Sequence, residues 1–114
     1  MLKSKIHNAA ITQTELSYSG SITIDALILE KSDIIENERV QVVNLNNGTR
    51  FETYVIQGEK GSGMICLNGP AARLGSPGDR IHILTYATMS EEELKNFKPE
   101  IIVLNEKNEI IQEK

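Results

Sequence analysis

A serine that follows a glycine is one of the few places in this chain where a reactive group could arise. It lies in the run Tyr18-Ser19-Gly20-Ser21-Ile22-Thr23-Ile24-Asp25. In a strained turn a serine hydroxyl can attack the preceding carbonyl and turn the peptide into an ester. Glycine suits the preceding position because no Cβ blocks the approach and strained angles cost it little. Elimination and hydrolysis of that ester leave a ketone, a pyruvoyl group, on a new N-terminus. Such a group is an electron sink that needs no bound cofactor. The rest of the chain is poor in catalysts, with two His and one Cys in 114 residues. Cys66 alone forms no intrachain disulfide, and there is no cysteine cluster to hold zinc. Other polar residues are grouped by spacing. Lys5 and His7 stand at i, i+2 and share a face if the segment is a strand. Arg50 and Tyr54 are four apart and share a face by the same rule, with Cα atoms about 13 Å apart. Thr53 points the opposite way. The Arg50 fork can hold a carboxylate by two bonds.

Taken singly, each of these residues has a plain structural reading. Gly20-Ser21 reads as a turn into a strand and Asn68-Gly69-Pro70 as a turn and helix start. Arg50 and Tyr54 read as an exposed strand face, and Lys5 as solvated. His7 reads as a surface or half-buried side chain. Glu91, Glu92 and Glu93 read as a solvated helix start that suits the helix dipole. Cys66 reads as a core residue.

The elements that must position these residues are mostly short strands. Ser21–Asp25 alternates cleanly, and Arg39–Leu45 and Phe51–Ile56 are rich in β-branched residues. Asn46-Asn47-Gly48 between them predicts a type I′ hairpin. Ser4–Thr12, Met64–Leu67, Arg80–Ala87 and Ile101–Leu104 are further strand candidates. Asp25 is placed to cap a short helix over Ala26–Lys31. Pro70 sits at the first position of another, and Ser90-Glu91-Glu92-Glu93 forms a capping box with Pro99 beyond it. The charged segment Asn105–Lys114 reads as a fraying terminus. The length is that of one domain over residues 1–114, and aromatics are only 4%, so aliphatic residues must fill the core. A net charge of −4 argues against a nucleic-acid partner. No apolar run approaches the ~20 residues that span a bilayer, and no apolar segment follows the basic N-terminus as in a secretory signal. A soluble cytoplasmic domain is expected. Many short strands with a few short helices suggest a small β-barrel.

The chain resembles the pyruvoyl-dependent aspartate 1-decarboxylases from Leu2 to about Pro99. Five motifs carry the resemblance in order: Lys5-Ile6-His7, Tyr18 to Asp25, Asn47 to Tyr54, Asn68-Gly69-Pro70-Ala71-Ala72-Arg73, and Gly78-Asp79. Many members have Ala where this chain has Pro70, so one backbone N–H is absent here. The resemblance implies a double-psi β-barrel and a homotetramer with active sites between subunits. It implies self-cleavage between Gly20 and Ser21 into residues 1–20 and 21–114, in some members with the help of a maturation factor. It implies conversion of L-aspartate to β-alanine and carbon dioxide through a Schiff base, supplying pantothenate and coenzyme A synthesis, with no metal.

By the same resemblance Ser21 becomes the pyruvoyl group, Tyr54 donates a proton, and Gly20, Ser21 and Thr53 serve processing. Arg50, Lys5, His7, Tyr18, Asn68, Gly69, Ala71 and Ala72 would bind substrate. A twist or an intersubunit site must reconcile Thr53 with Arg50 and Tyr54 on the other face. Two other readings compete with this one. One is a non-catalytic barrel for binding or assembly that stays uncleaved. The other is a pyruvoyl enzyme acting on a different acidic amino acid, such as glutamate.

Overall fold

The structure is a computed structural model that describes residues 1–114. Its strands are β1 (Leu2–Ala10), β2 (Gln13–Glu15), β3 (Ser21–Asp25), β4 (Arg39–Asn44), β5 (Arg50–Gly58), β6 (Ile65–Asn68), β7 (Arg80–Tyr86), β8 (Glu100–Leu104) and β9 (Ile110–Glu113). Two short helices, α1 (Ala26–Ser32) and α2 (Glu91–Leu94), and a 3-10 turn at Gly69–Arg73 join them. No helix is long and apolar enough to cross a membrane.

The strands run in the order β2-β6-β3-β5-β4-β7-β1-β8-β9. The order closes on itself because β2 is the continuation of β1. Between them Thr12 donates its backbone N–H to Ile65 O at 2.8 Å, and Ile65 N donates to Thr12 Oγ1 at 3.0 Å. The β1–β2 segment is thereby tied to β6 near the far end of the order, so the sheet curls round into a small β-barrel. Alternation fills it. Ile6, Ile22, Ile24, Val42, Val55, Ile65, Leu67, Ile81 and Ile83 are all fully buried, as the scarcity of aromatics requires. Asp25 caps α1 by accepting from Leu27 N at 2.8 Å. Its carboxylate also accepts from Gly61 N and Gly63 N, both at 2.8 Å, and so fixes the glycine-rich loop before β6.

Three segments differ from the reading of the sequence. The β4–β5 connection is not a two-residue type I′ turn. Of its residues only Gly48 takes positive φ, at 76°. Asn44 and Thr49 close a four-residue loop, with Asn44 N donating to Thr49 O and Gly48 N to Asn44 O, each at 2.9 Å. The cause is the buried Asn44 side chain. Its Oδ1 accepts from Asn46 N at 2.8 Å and Asn47 N at 3.3 Å, an Asx geometry that outcompetes the tighter turn. The C-terminal segment does not fray either. Asn108 is buried, accepts from Ala10 N at 2.7 Å, and donates to Ala10 O and Gly63 O at 2.8 Å each. That clamp lets β9 pair antiparallel with β8. The short β2 was also not foreseen, because three polar residues, Gln13-Thr14-Glu15, carry no hydrophobic alternation.

Candidate active site

Ser21 opens β3 and is fully buried. It stands in register with Asn68, the last residue of β6. Asn68 Nδ2 donates to Ser21 Oγ at 2.9 Å and to Thr23 Oγ1 at 2.9 Å. Asn68 Oδ1 accepts from the Cys66 thiol at 3.2 Å. Every arm of the amide is therefore held, and the amide in turn holds the serine hydroxyl. Ser21 Oγ donates in the other direction to Ser19 O at 3.4 Å. Cys66 acts as the core residue its sequence context suggested, since burial pushes its thiol pKa up and keeps it protonated.

Gly69 follows Asn68 with φ 62°. A Cβ there would lie 2.7 Å from Gly20 N and 2.9 Å from Ser19 C, and closer still to the Tyr18 carbonyl oxygen. Only a hydrogen fits, so the 18–20 segment lies directly against the Gly69 backbone. Pro70 touches the other side, with its Cδ 3.3 Å from where a Cβ on Gly20 would stand. Ala71 is buried and Ala72 half-buried in the same turn, and the Tyr18 side chain is exposed. The parallel register of β3 and β5 pairs Ile22 with Val55. Continued backwards, it brings Gly20 level with Thr53. Gly20, Thr53, Tyr54, Pro70 and Ala71 line one cleft. Thr53 and Gly20 thus line the same cleft within one chain. The Tyr54 hydroxyl has no hydrogen-bond partner in the chain.

Arg50 and Lys5 lie in a second cleft, with His82, Val43 and Leu84. The register explains this grouping. Arg50 pairs with Val43 and Val43 with His82, so the three form one row across β5, β4 and β7. At ~4.8 Å per strand, the Arg50 and His82 Cα atoms are about 10 Å apart. Lys5 pairs with Leu84 in the adjoining row. Arg50 Nη1 donates to Gln41 Oε1 at 2.8 Å, which also accepts from Tyr86 at 2.9 Å. The ion pairs of the protein are Lys3–Glu38, Arg39–Glu52, Lys60–Glu30 and Lys95–Glu92. Arg50 and Lys5 are in none of them, so both cations are free for an external anion.

His7 stacks on His82 with ring centroids 4.1 Å apart. Burial, then the charge of Lys5, lowers the His7 pKa below its ordinary value. Burial, then the charges of His7 and Lys5, pushes His82 down to about 4. His82 was not singled out in the sequence. Arg80-Ile81-His82-Ile83 marks it as a polar strand position, but only the register places it beside Arg50.

A sequence profile of the family described as Aspartate decarboxylase matches residues 1–111. The chain belongs to the aspartate decarboxylase family. Proteins named Aspartate 1-decarboxylase are similar to it over nearly their whole length. That of Acetivibrio thermocellus is 60% identical over 111 residues, covering 97% of this chain and 88% of the relative. That of Clostridium beijerinckii is 56% identical over 110 residues, covering 96% and 89%. That of Staphylococcus aureus is 58% identical over 112 residues, covering 98% and 88%. For a member of this family the division of the site is informative. The cleft at Gly20 and the cleft at Arg50 share no residue. No group of three or more His, Cys, Asp or Glu side chains stands together as a metal centre would require.

Proposed function

We propose that this chain decarboxylates L-aspartate to β-alanine and carbon dioxide, using a pyruvoyl group made from its own Ser21. The observation that carries the reading is the Asn68-held Ser21 hydroxyl next to Gly20, in a chain whose relatives bear the name Aspartate 1-decarboxylase. The pocket fits the conversion. The Gly69 backbone makes a close cradle for the 18–20 segment that a Cβ would fill. Ser21 Oγ attacks the Gly20 carbonyl carbon, the hydroxyl proton passes to the Ser21 nitrogen, and the C–N bond breaks to give an ester with a free amine. Thr53, level with Gly20, is placed to donate to the oxyanion that forms on that carbonyl. Elimination leaves a Gly20 carboxylate, and hydrolysis of the new terminus releases ammonia. The products are residues 1–20 and 21–114. The small fragment stays bound because β1 pairs with both β7 and β8 and buries Ile6 and Ala9.

The pyruvoyl group supplies covalent capture of the substrate amine and a sink for the electron pair released with carbon dioxide. The chain's own residues do the rest. Arg50 and Lys5, free of internal carboxylates, hold a substrate carboxylate. Tyr54, which lines the cleft of Gly20 and has an unpartnered hydroxyl, returns a proton to the product. Asn68, Gly69, Ala71 and Ala72 shape the wall, with His7 and Tyr18 at the margins. A second copy that sets its Arg50 cleft against Ser21 completes the site, which is the role of the homotetramer in this reading. The product would supply pantothenate and coenzyme A synthesis in the cytoplasm.

Intact mass spectrometry of the purified protein tests this directly. The expected result is two species, cut after Gly20, with a pyruvoyl mass on the larger one and β-alanine made from aspartate faster than any product from glutamate. Ser21→Ala should give one uncut chain and no β-alanine. Activity in that uncut variant would sink the assignment.

A further inference from the structure

His82 has a geometry that the roles above leave unused. β1 bulges opposite it. Ile6 pairs with Ile83 and Ala9 with Ile81, so His7 and Asn8 together face the single residue His82. A two-against-one bulge re-aims the side chains beside it. Asn8 takes φ 72° and donates its N–H to His82 Nδ1 at 3.0 Å. That bond settles the tautomer, because an accepting Nδ1 leaves the proton on Nε2. No side chain of the protein accepts from Nε2. The ring also lines the cleft of Lys5 and Arg50.

We propose that His82 is a substrate-binding residue whose Nε2–H donates to the same carboxylate that Arg50 and Lys5 hold. This rests on the decarboxylase reading. Charge explains why a neutral donor suits the place. Lys5 on β1 and Arg50 on β5 already line the cleft as cations, and Arg80 on β7 and Lys114 after β9 add positive charge near the stacked His7. Another cation would be repelled, whereas a neutral imidazole adds a third donor without adding charge. Burial, then His7 and Lys5, keep His82 neutral at pH 7. The bulge is thus the device that turns a strand histidine into an aimed donor.

Two variants of the processed enzyme separate binding from support of the bulge. His82→Asn keeps an acceptor near the Nδ1 position for Asn8 N–H but removes the distal donor. His82→Gln returns an N–H near the Nε2 position. Succinate, a diacid with no amine, reads the carboxylate subsite alone. Loss of one hydrogen bond to a charged acceptor should weaken succinate inhibition about tenfold in His82→Asn and raise the aspartate KM similarly. His82→Gln should recover to within about threefold. Unchanged succinate inhibition in His82→Asn overturns the proposal, and so does equal impairment of both variants. Should either variant fail to mature, the 15N resonance of His82 Nε2 in the unaltered protein, titrated with succinate, decides. A shift supports the proposal and an unmoved resonance overturns it. A wild-type protein that makes no β-alanine would sink the decarboxylase reading instead, and the succinate titration would still judge His82.

Discussion

Gly69→Ala is the sharpest perturbation of the proposed cleavage site. Two effects add. The residue sits at φ 62°, where an L side chain costs about 1–2 kcal/mol. The new Cβ would also stand 2.7 Å from Gly20 N and 2.9 Å from Ser19 C. Relief requires a shift of the 18–20 segment by about 1 Å, because ordinary contacts between such atoms lie near 3.5 Å. That segment is bonded to Ser21, whose hydroxyl Asn68 holds in place. The attacking oxygen and the Gly20 carbonyl are therefore moved relative to one another. A misplacement of about 1 Å at a reacting centre slows a reaction about 100-fold, or about 2.7 kcal/mol in the barrier. The barrel should survive, since Tyr18 and Ser19 are exposed and can move outward. The assay is the rate at which freshly purified uncut chain yields the two fragments, followed by intact mass, with a urea melt alongside. The expected outcome is a melt lowered by about 1–2 kcal/mol and cleavage slowed about 100-fold. Cleavage at the wild-type rate would refute the claim that the Gly69 backbone sets the geometry of the scissile bond.

Two further predictions concern stability. Asn108→Ala leaves the backbone groups of Ala10 and Gly63 without their partners, and urea unfolding should show a loss of about 2–4 kcal/mol with faster amide exchange in β9. A change below about 0.5 kcal/mol would mean the tail is held by other contacts. Acidification should also destabilise the fold through His82, held at about 4 against 6.5 when unfolded. The unfolded chain takes up a proton as pH falls through 6.5 while the folded chain does not, so stability falls from there down to about 4 and then levels. From pH 7.5 to 5 this amounts to about 2 kcal/mol at full weight, and about 1 kcal/mol once solvent screening of a half-exposed ring is allowed for. The His7 shift has the same sign. Urea melts at one protein concentration should show a shallower pH slope for His82→Asn; an identical slope would contradict the stacked, neutral pair.

The proposed cleavage site could be read from the sequence because it is local. Gly20 and Ser21 are adjacent in the chain, and β3 begins at Ser21 as the alternation of Ser21–Asp25 required. The caps at Asp25 and Ser90 were legible for the same reason, since a cap acts within one turn. Arg50 and Tyr54 were correctly placed on one face, because strand alternation needs no partner. What failed involved residues far apart in sequence. The Asn44 side chain overrode the Asn-Gly turn signal because the folded barrel buries it against Asp79. Asn108 tied down a segment whose composition read as solvated, by reaching back 98 residues to Ala10.

The sequence by itself determined the residue types, their phase on each strand and the Gly20-Ser21 pair on which the proposed self-attack rests. Which polar positions meet was decided by strand register, a long-range property. Register set Asn68 against Ser21 and His82 in the row of Arg50, and the fold put Thr53 in the cleft of Gly20. It also put the free cations in a different cleft from Gly20, because the sheet wraps into a barrel and its outward rows face different directions.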